Sequence, residues 1–375
     1  MDFSLSDEQQ ALQGLARQIL GDRMTPARLK EVEAGPEWFD RETWAELAKA
    51  NLLGVAVPEE HGGLGYGFLE LCLVLQEQGR TAAPLPLLAT LVMGALPIAR
   101  FGSKEQQARL LPGVVSGLTV LTAALNEVGA PPESPTTVAV SAGNAWRVDG
   151  TKICVPAAHL ADAVLVPART DDGVAVFLVD PKADGVTLER QDTLNLEPQF
   201  EMTLRGVTVE AAGMLGTVAD GAVILDWLLA RSTAGLCAIA AGVSHEALHQ
   251  TAQYTTERKQ FDRAIGTFQA VGQRMADAYI DAQGIELTML QAASHLDGDE
   301  SAPLDVASAK FWASEAGSRV VHAALHVHGG ISIDLDYPIH RYFLWAKQIE
   351  FSLGSETEQL RRIGAILAAE PAPPA

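Results

Sequence analysis

The residues of this chain best equipped for chemistry sit together in "ERKQFDRAIGTFQAVGQRMAD", residues 257–277. Arg258, Lys259, Arg263 and Arg274 crowd into it beside Phe261 and Phe268, in a chain with 47 acidic and only 27 basic residues. Arginine holds phosphate through paired, charge-assisted hydrogen bonds, and an exposed aromatic ring stacks on a flat heterocycle. An arginine three residues before a phenylalanine therefore suits the phosphates and rings of a dinucleotide. The competing reading is a charged surface helix, restarted after Gly266, with Phe261 and Phe268 buried beneath it. A short motif does not separate the two.

A second group stands in "HVHGGISIDLDYPIHRY", residues 326–342. Gly329 and Gly330, placed after a helix, let the backbone approach a ligand closely or end the helix in a left-handed turn. His326 and His328 are two apart and point to different sides of a helix. With His322 and His340 they supply imidazoles enough for a metal, but no cysteine or carboxylate stands at a ligand spacing beside them, so no metal is expected.

Other elements must position these groups. The 375 residues are 48% hydrophobic and 20% charged, enough for two or three domains with large cores. A net charge of −20 argues against nucleic acid or an anionic membrane as partner. Three distant cysteines, Cys72, Cys154 and Cys237, give no disulfide framework. The N-terminus has no signal-peptide pattern and no window reads as a membrane span, so a soluble cytoplasmic protein is expected.

Periodicity divides the chain in three. The first part reads as helices: Ser6 and Gln9 have capping-box spacing before Leu12, Leu15 and Ile19, and Ser103 is an N-cap candidate. From about 119 to 215 the pattern changes to short strands, with Asp149-Gly150 and Gly173 as expected turns. Long helical patterns return at 219–256, 264–295, 303–325 and 337–350. The expected boundaries are 1–118 (helical), 119–216 (antiparallel β) and 217–370 (four-helix), with 371–375 a disordered tail.

"YTTERKQFDRAIGTFQAVGQRMADAYI", "HVHGGIS" and "YPIHRYFLWAKQIEFSLGS", in that order and spacing, resemble the C-terminal domain of the acyl-CoA dehydrogenase family. The resemblance extends over essentially the whole chain and implies that family's α+β multi-domain fold: helical domain, middle β domain, C-terminal four-helix bundle. It also implies FAD as cofactor, an acyl-CoA substrate and electron-transfer flavoprotein as acceptor. In the family these C-terminal segments grip the flavin of a neighbouring subunit. Carried over, Arg258 and Phe261 meet its pyrophosphate and adenine half, Ile265 and Phe268 pack against it, and Gly329 and Gly330 admit its ribose and phosphates. His326 stands where the family usually has glutamine.

Elsewhere the chain departs from the family. "LNEVGAPPESPT" keeps Glu127 but lacks the family's Gly-Ser-Asp ending, and its tryptophan-isoleucine-threonine becomes Cys154, Val155 and Pro156. Proline removes a backbone donor, and no ring remains to stack on the isoalloxazine. Desaturation needs a carboxylate to take a proton from Cα while hydride leaves Cβ for the flavin. The usual glutamate position falls on Leu353. Glu350 and Glu356 lie about 300° away on a helix and read as surface charges. A second family location points to Asp226, about 140° round a helix from Arg231, which is expected to line the pocket or bind a carboxylate.

One eroded side and one retained side resemble the heteromeric acyl-CoA dehydrogenases of bacterial steroid catabolism, in which two homologous subunits form α2β2 assemblies. "KICVPAA", "TAQYTTERKQF" and "LHVHGG" are closest to the subunit that grips the cofactor. The alternatives are a self-sufficient homotetramer using Asp226 or another base, and a flavin-free homologue without activity.

Overall fold

The computed structural model of the chain describes residues 3–298 and 300–369; the tail 371–375 lies outside the described residues. Helices α1 (Asp7–Arg23), α2 (Pro26–Glu33), α3 (Arg41–Lys49), α4 (Phe68–Thr81), α5 (Leu96–Phe101) and α6 (Lys104–Val115) come first. Strands β1 (Leu121–Ala123), β2 (Val138–Ala142), β3 (Ala145–Pro156), β4 (Ala163–Thr170), β5 (Gly173–Val179), β6 (Val186–Gln191), β7 (Gln199–Glu210) and β8 (Met214–Leu215) follow. Helix α7 (Gly221–Glu257) leads to a short hairpin, β9 (Lys259–Gln260) and β10 (Arg263–Ala264). Helices α8 (Gln269–Asp297), α9 (Pro303–His328), α10 (Ile339–Phe351) and α11 (Glu356–Ala369) complete the described chain. The order is helix, sheet, helix, as periodicity predicts.

The residues fall into two compact units. The first comprises Glu31–Leu71 and Pro84–Ser232 and contains the sheet, ordered β6-β7-β3-β2-β4-β5-β8. Val148, Val164, Val166, Phe177, Met202 and Leu204 form its core. The expected antiparallel domain is corrected to a mixed sheet: β1 runs parallel to β4, and β2 meets β4 in parallel at Val138 and Arg169. The turn at Asp149-Gly150 is a second correction. Those residues lie inside β3, at a register shift against β7, and the hairpin turn is Gly143-Asn144. A Cβ on Gly150 would meet Thr137 Oγ1 at 2.4 Å, so this glycine serves a close approach rather than a turn. In the same unit Leu88–Ala95 forms a buried π-helical stretch that no periodicity announced.

The second unit comprises the chain up to Lys30, Cys72–Ala83 and everything from Thr233 on. The capping box of α1 forms as expected, Ser6 and Gln9 each bonding the other's backbone N–H. Its buried stripe is Leu12, Ala16 and Leu20, while Leu15 is exposed. The fully buried Glu77 accepts from Arg17 (2.8 Å) and Arg80 (2.5 Å), which fixes α1 on α4. Segments of α4 and α7 cross at glycines: a Cβ on Gly79 would sit 2.0 Å from Ile239 O, and one on Gly242 1.9 Å from Gln76 O. Val218–Glu257 is apolar and long enough to cross a membrane by length and composition; 67% of its most apolar window is buried in the protein, as in a core helix. Among the described residues five helices follow residue 220, the four expected and α11, at whose start Glu358 accepts the Ser355 N–H (2.6 Å).

Candidate functional site

The basic stretch does not continue as a helix. Helix α7 ends at Glu257, and the Arg258 C=O accepts from Ile265 N–H (2.9 Å), closing the base of the β9–β10 hairpin. Gln260 pairs with Arg263, leaving Phe261 and Asp262 as a two-residue loop with φ of 50° and 63°. Left-handed φ at both loop positions is the turn that matches strand twist, normally built from asparagine and glycine. A phenylalanine there is strained by about 1–2 kcal/mol. Burial offers no compensation, because Phe261 is 87% exposed. This corrects the surface-helix reading: Phe261 is displayed on a hairpin tip. Phe268, half-buried, takes its ring edge at 6.2 Å, and the Arg263 guanidinium lies 4.0 Å over Phe268. Ile265 opens the short turn between hairpin and α8.

Arg258, Lys259, Arg263 and Arg274 are all exposed, and none forms an ion pair among the described residues. Four exposed cations that form no ion pair among the described residues, in a chain of net charge −20, make this stretch a candidate anion patch. Arg274, on α8, donates from Nη1 to Nδ1 of His326 in the last turn of α9 (2.5 Å). Gly329 follows with φ 67° and ψ −142°, a backbone reserved for glycine, and Ser332 Oγ donates to its carbonyl (2.7 Å). A Cβ at Gly329 or Gly330 would meet no atom within 4 Å, so the surface above the pair is open. Behind it the buried His328 ring stacks on Tyr254 (4.4 Å) and tilts against Tyr337 (5.3 Å); burial pulls its basicity down.

The turn after α10 is the opposite kind of place. Leu353 is buried with φ 53°, and Gly354 has φ 97°. The fully buried Gln359 donates from Nε2 to the carbonyls of Leu353 (3.2 Å) and Gly354 (3.4 Å). Lys310, also fully buried, donates to Ser314 Oγ (2.6 Å) and the Glu350 carbonyl (3.3 Å), and desolvation pulls it down to about 8. The Glu350 side chain pairs with Lys347 (2.6 Å) and is half-buried, which corrects the expected surface charge. Glu356 is likewise half-buried.

In the sheet-bearing unit Asp226 is exposed, its carboxyl raised by partial desolvation and by Glu133. Arg231 is buried, its guanidinium 3.8 Å over the Trp227 ring and 5.9 Å from Phe68. Glu127 accepts from Lys152 Nζ (2.6 Å) and from the N–H groups of Thr136 and Thr137. Burial alone would raise this carboxyl, but those bonds outweigh it and hold it down to about 2. Cys154 sits at φ 53° where β3 shifts register, its N–H donating to Gln191 Oε1 (2.8 Å) and its thiol pushed up by burial. The Pro156 carbonyl accepts from Thr122 Oγ1 (2.7 Å). No aromatic ring replaces the missing tryptophan in this stretch.

A flavin dinucleotide can be tested against these surfaces. The anion patch fits its diphosphate, Phe261 its adenine, and the open glycine pair a close approach by ribose; the Cys154–Val155–Pro156 end of β3 offers the isoalloxazine no ring. Arg263, Arg274, Lys310 and Gln359 carried no assigned role in the sequence reading. The first two were visible as charges, but the last two act through backbone contacts that no motif encodes.

The chain matches the family models for the acyl-CoA dehydrogenase N-terminal domain (6–118), middle domain (123–207) and C-terminal domain (219–368). It is 44% identical to acyl-CoA dehydrogenase FadE27 of Mycobacterium tuberculosis (strain ATCC 25618 / H37Rv), over 99% of this chain and 100% of that protein. A chain in the crystal structure of the ChsE4-ChsE5 complex from Mycobacterium tuberculosis superposes with a TM-score of 0.94 at 44% identity, covering 99% and 100%. A variant of the Tcur3481-Tcur3483 steroid acyl-CoA dehydrogenase gives a TM-score of 0.92 at 44% identity, covering 97% and 99%.

Proposed function

The chain belongs to the acyl-CoA dehydrogenase family of oxidoreductases, and from that premise we propose that it is the cofactor-gripping subunit of a heteromeric acyl-CoA dehydrogenase. The partner is a homologous chain in an α2β2 assembly, and the substrate is a steroid side-chain or other bulky acyl-CoA thioester. Similarity to chains of the ChsE4-ChsE5 complex and of a steroid acyl-CoA dehydrogenase supports both parts of the reading. Electron-transfer flavoprotein is the proposed acceptor, on the family resemblance. The observation that carries the reading is the contrast within this chain: four exposed, unpaired cations beside a displayed phenylalanine, and a leucine where the family's base would stand.

FAD, when bound, supplies the acceptor for the hydride leaving Cβ. This chain's own residues bind and orient. Arg258 would hold the diphosphate through paired, charge-assisted bonds, and Phe261 would cover the adenine with its exposed ring. Ile265 and Phe268 would pack against the same half of the cofactor, the Phe268 ring standing edge-on to Phe261 at 6.2 Å. Gly329 and Gly330 keep the backbone clear of side chains where ribose and phosphate approach. Leu353 takes no proton, so abstraction at Cα falls to a carboxylate of the partner.

The test is reconstitution. Co-expressed with its homologous partner, the chain should desaturate a steroid-type acyl-CoA. Replacing the partner's carboxylate should abolish turnover, while Asp226→Asn should leave it unchanged. A second reading, a homotetramer with Asp226 as base, draws on that residue's exposure and raised carboxyl. Loss of turnover in Asp226→Asn would favour it and sink the first.

A further inference from the structure

The histidines around the glycine pair differ in a way that singles out one of them. Nδ1 of His322 lies 2.7 Å from Ser318 O, that of His328 2.8 Å from Ala324 O, and that of His340 2.7 Å from Tyr337 O. A carbonyl only accepts, so each of these nitrogens carries a proton. For His322 and His328 the acceptor is the carbonyl one helical turn back. His326 stands between them on α9 and does the opposite. Its Nδ1 faces Nη1 of Arg274 at 2.5 Å, and a guanidinium has only donors to offer. Nδ1 of His326 must therefore be the bare, accepting nitrogen, which in a neutral ring leaves the proton on Nε2.

We propose that Arg274 is a positioning residue of the anion patch: it fixes His326 as the Nε2–H tautomer, so that the exposed ring offers a hydrogen-bond donor to a phosphate or ribose oxygen of the bound dinucleotide. The ligand in this statement rests on the function proposed above; the tautomer does not. Three features converge on it. Both residues are exposed, Arg274 has no carboxylate partner, and His326 is three residues before the open Gly329. A side-chain amide at position 326 could turn either its donor or its acceptor outward. The arginine removes that freedom and adds a cation to the patch, so acceptor-rich anionic groups are selected.

Nitrogen-15 NMR of the full chain labelled at histidine tests the tautomer, with His326→Gln identifying the resonances. The expected result is an Nε2–H ring at 326, shifted towards Nδ1–H or a mixture in Arg274→Met and retained in Arg274→Lys, which is also donor-only. FAD titration of the co-expressed complex tests the consequence: Arg274→Met should weaken binding about tenfold, as for loss of a charge-assisted bond. A protonated Nδ1 in the unmodified chain overturns the proposal. So does an unchanged FAD affinity in Arg274→Met. Failure of the unmodified complex to bind FAD would sink the functional reading instead, while the tautomer would still decide what Arg274 does.

Discussion

Two regions of the C-terminal helices, the hairpin with its glycine pair and the turn after α10, treat their polar groups in opposite ways. At the hairpin, cations form no ion pair among the described residues and a phenylalanine is held out on a strained loop. At the turn, Lys310, Ser314 and Gln359 occupy the carbonyls of Glu350, Leu353 and Gly354, and a leucine is packed inward. Both carry non-glycine residues at positive φ, so strain alone does not mark a working site. Satisfaction does. A surface that awaits a ligand leaves charge and aromatic area uncompensated, whereas this turn fills its backbone carbonyls from buried side chains, with Gln359 Oε1 left without a partner.

That contrast can be broken at either end. The largest effect is expected at Arg258. Removing its paired bonds to a diphosphate in Arg258→Ala should weaken FAD binding by the co-expressed complex about a hundredfold, read by flavin titration. Unaltered binding would move the grip elsewhere.

The buried Lys310 gives the next effect, on stability. Its folded value is down at about 8 against an ordinary 10.5, so the folded state prefers the neutral amine. The resulting penalty of about 3 kcal/mol is fully present below pH 8 and fades as pH rises towards 10.5. Denaturation of the unmodified chain and of Lys310→Met across that window should show the unmodified chain gaining on the variant. Parallel pH profiles would contradict it.

Gln359→Leu removes the donor to one buried and one partly buried carbonyl and should destabilise by about 1–3 kcal/mol without touching FAD affinity. Phe261→Gly should do the reverse. Relief of the left-handed strain stabilises the free chain by about 1 kcal/mol, measured by chemical denaturation, while the complex retains flavin less well. A Phe261→Gly chain no more stable than the original would remove strain from the account.

Much of this was legible in the sequence because it is local or periodic. The capping box at Ser6 and the N-cap at Ser103 formed as expected, and the change from helical to alternating pattern located the sheet. The hairpin could not be read off, since Phe261-Asp262 lacks the residues that advertise such a turn. Asp149-Gly150 advertised one and supplied a bulge, because a strand packed against Thr137 needed the missing side chain. Arg274 and His326 are 52 residues apart, and Lys310 reaches Glu350 across 40, distances at which spacing is silent. The start of α11 is written locally, since Ser355 and Glu358 have the capping spacing.

The most direct test is the visible absorbance spectrum of the chain purified alone and then co-purified with its homologous partner subunit. Flavin bands only in the complex, with a single FAD for each pair of unlike subunits, are the predicted result. Full flavin in the chain alone, with turnover of an acyl-CoA, would contradict a composite site and return the search for a base to Asp226.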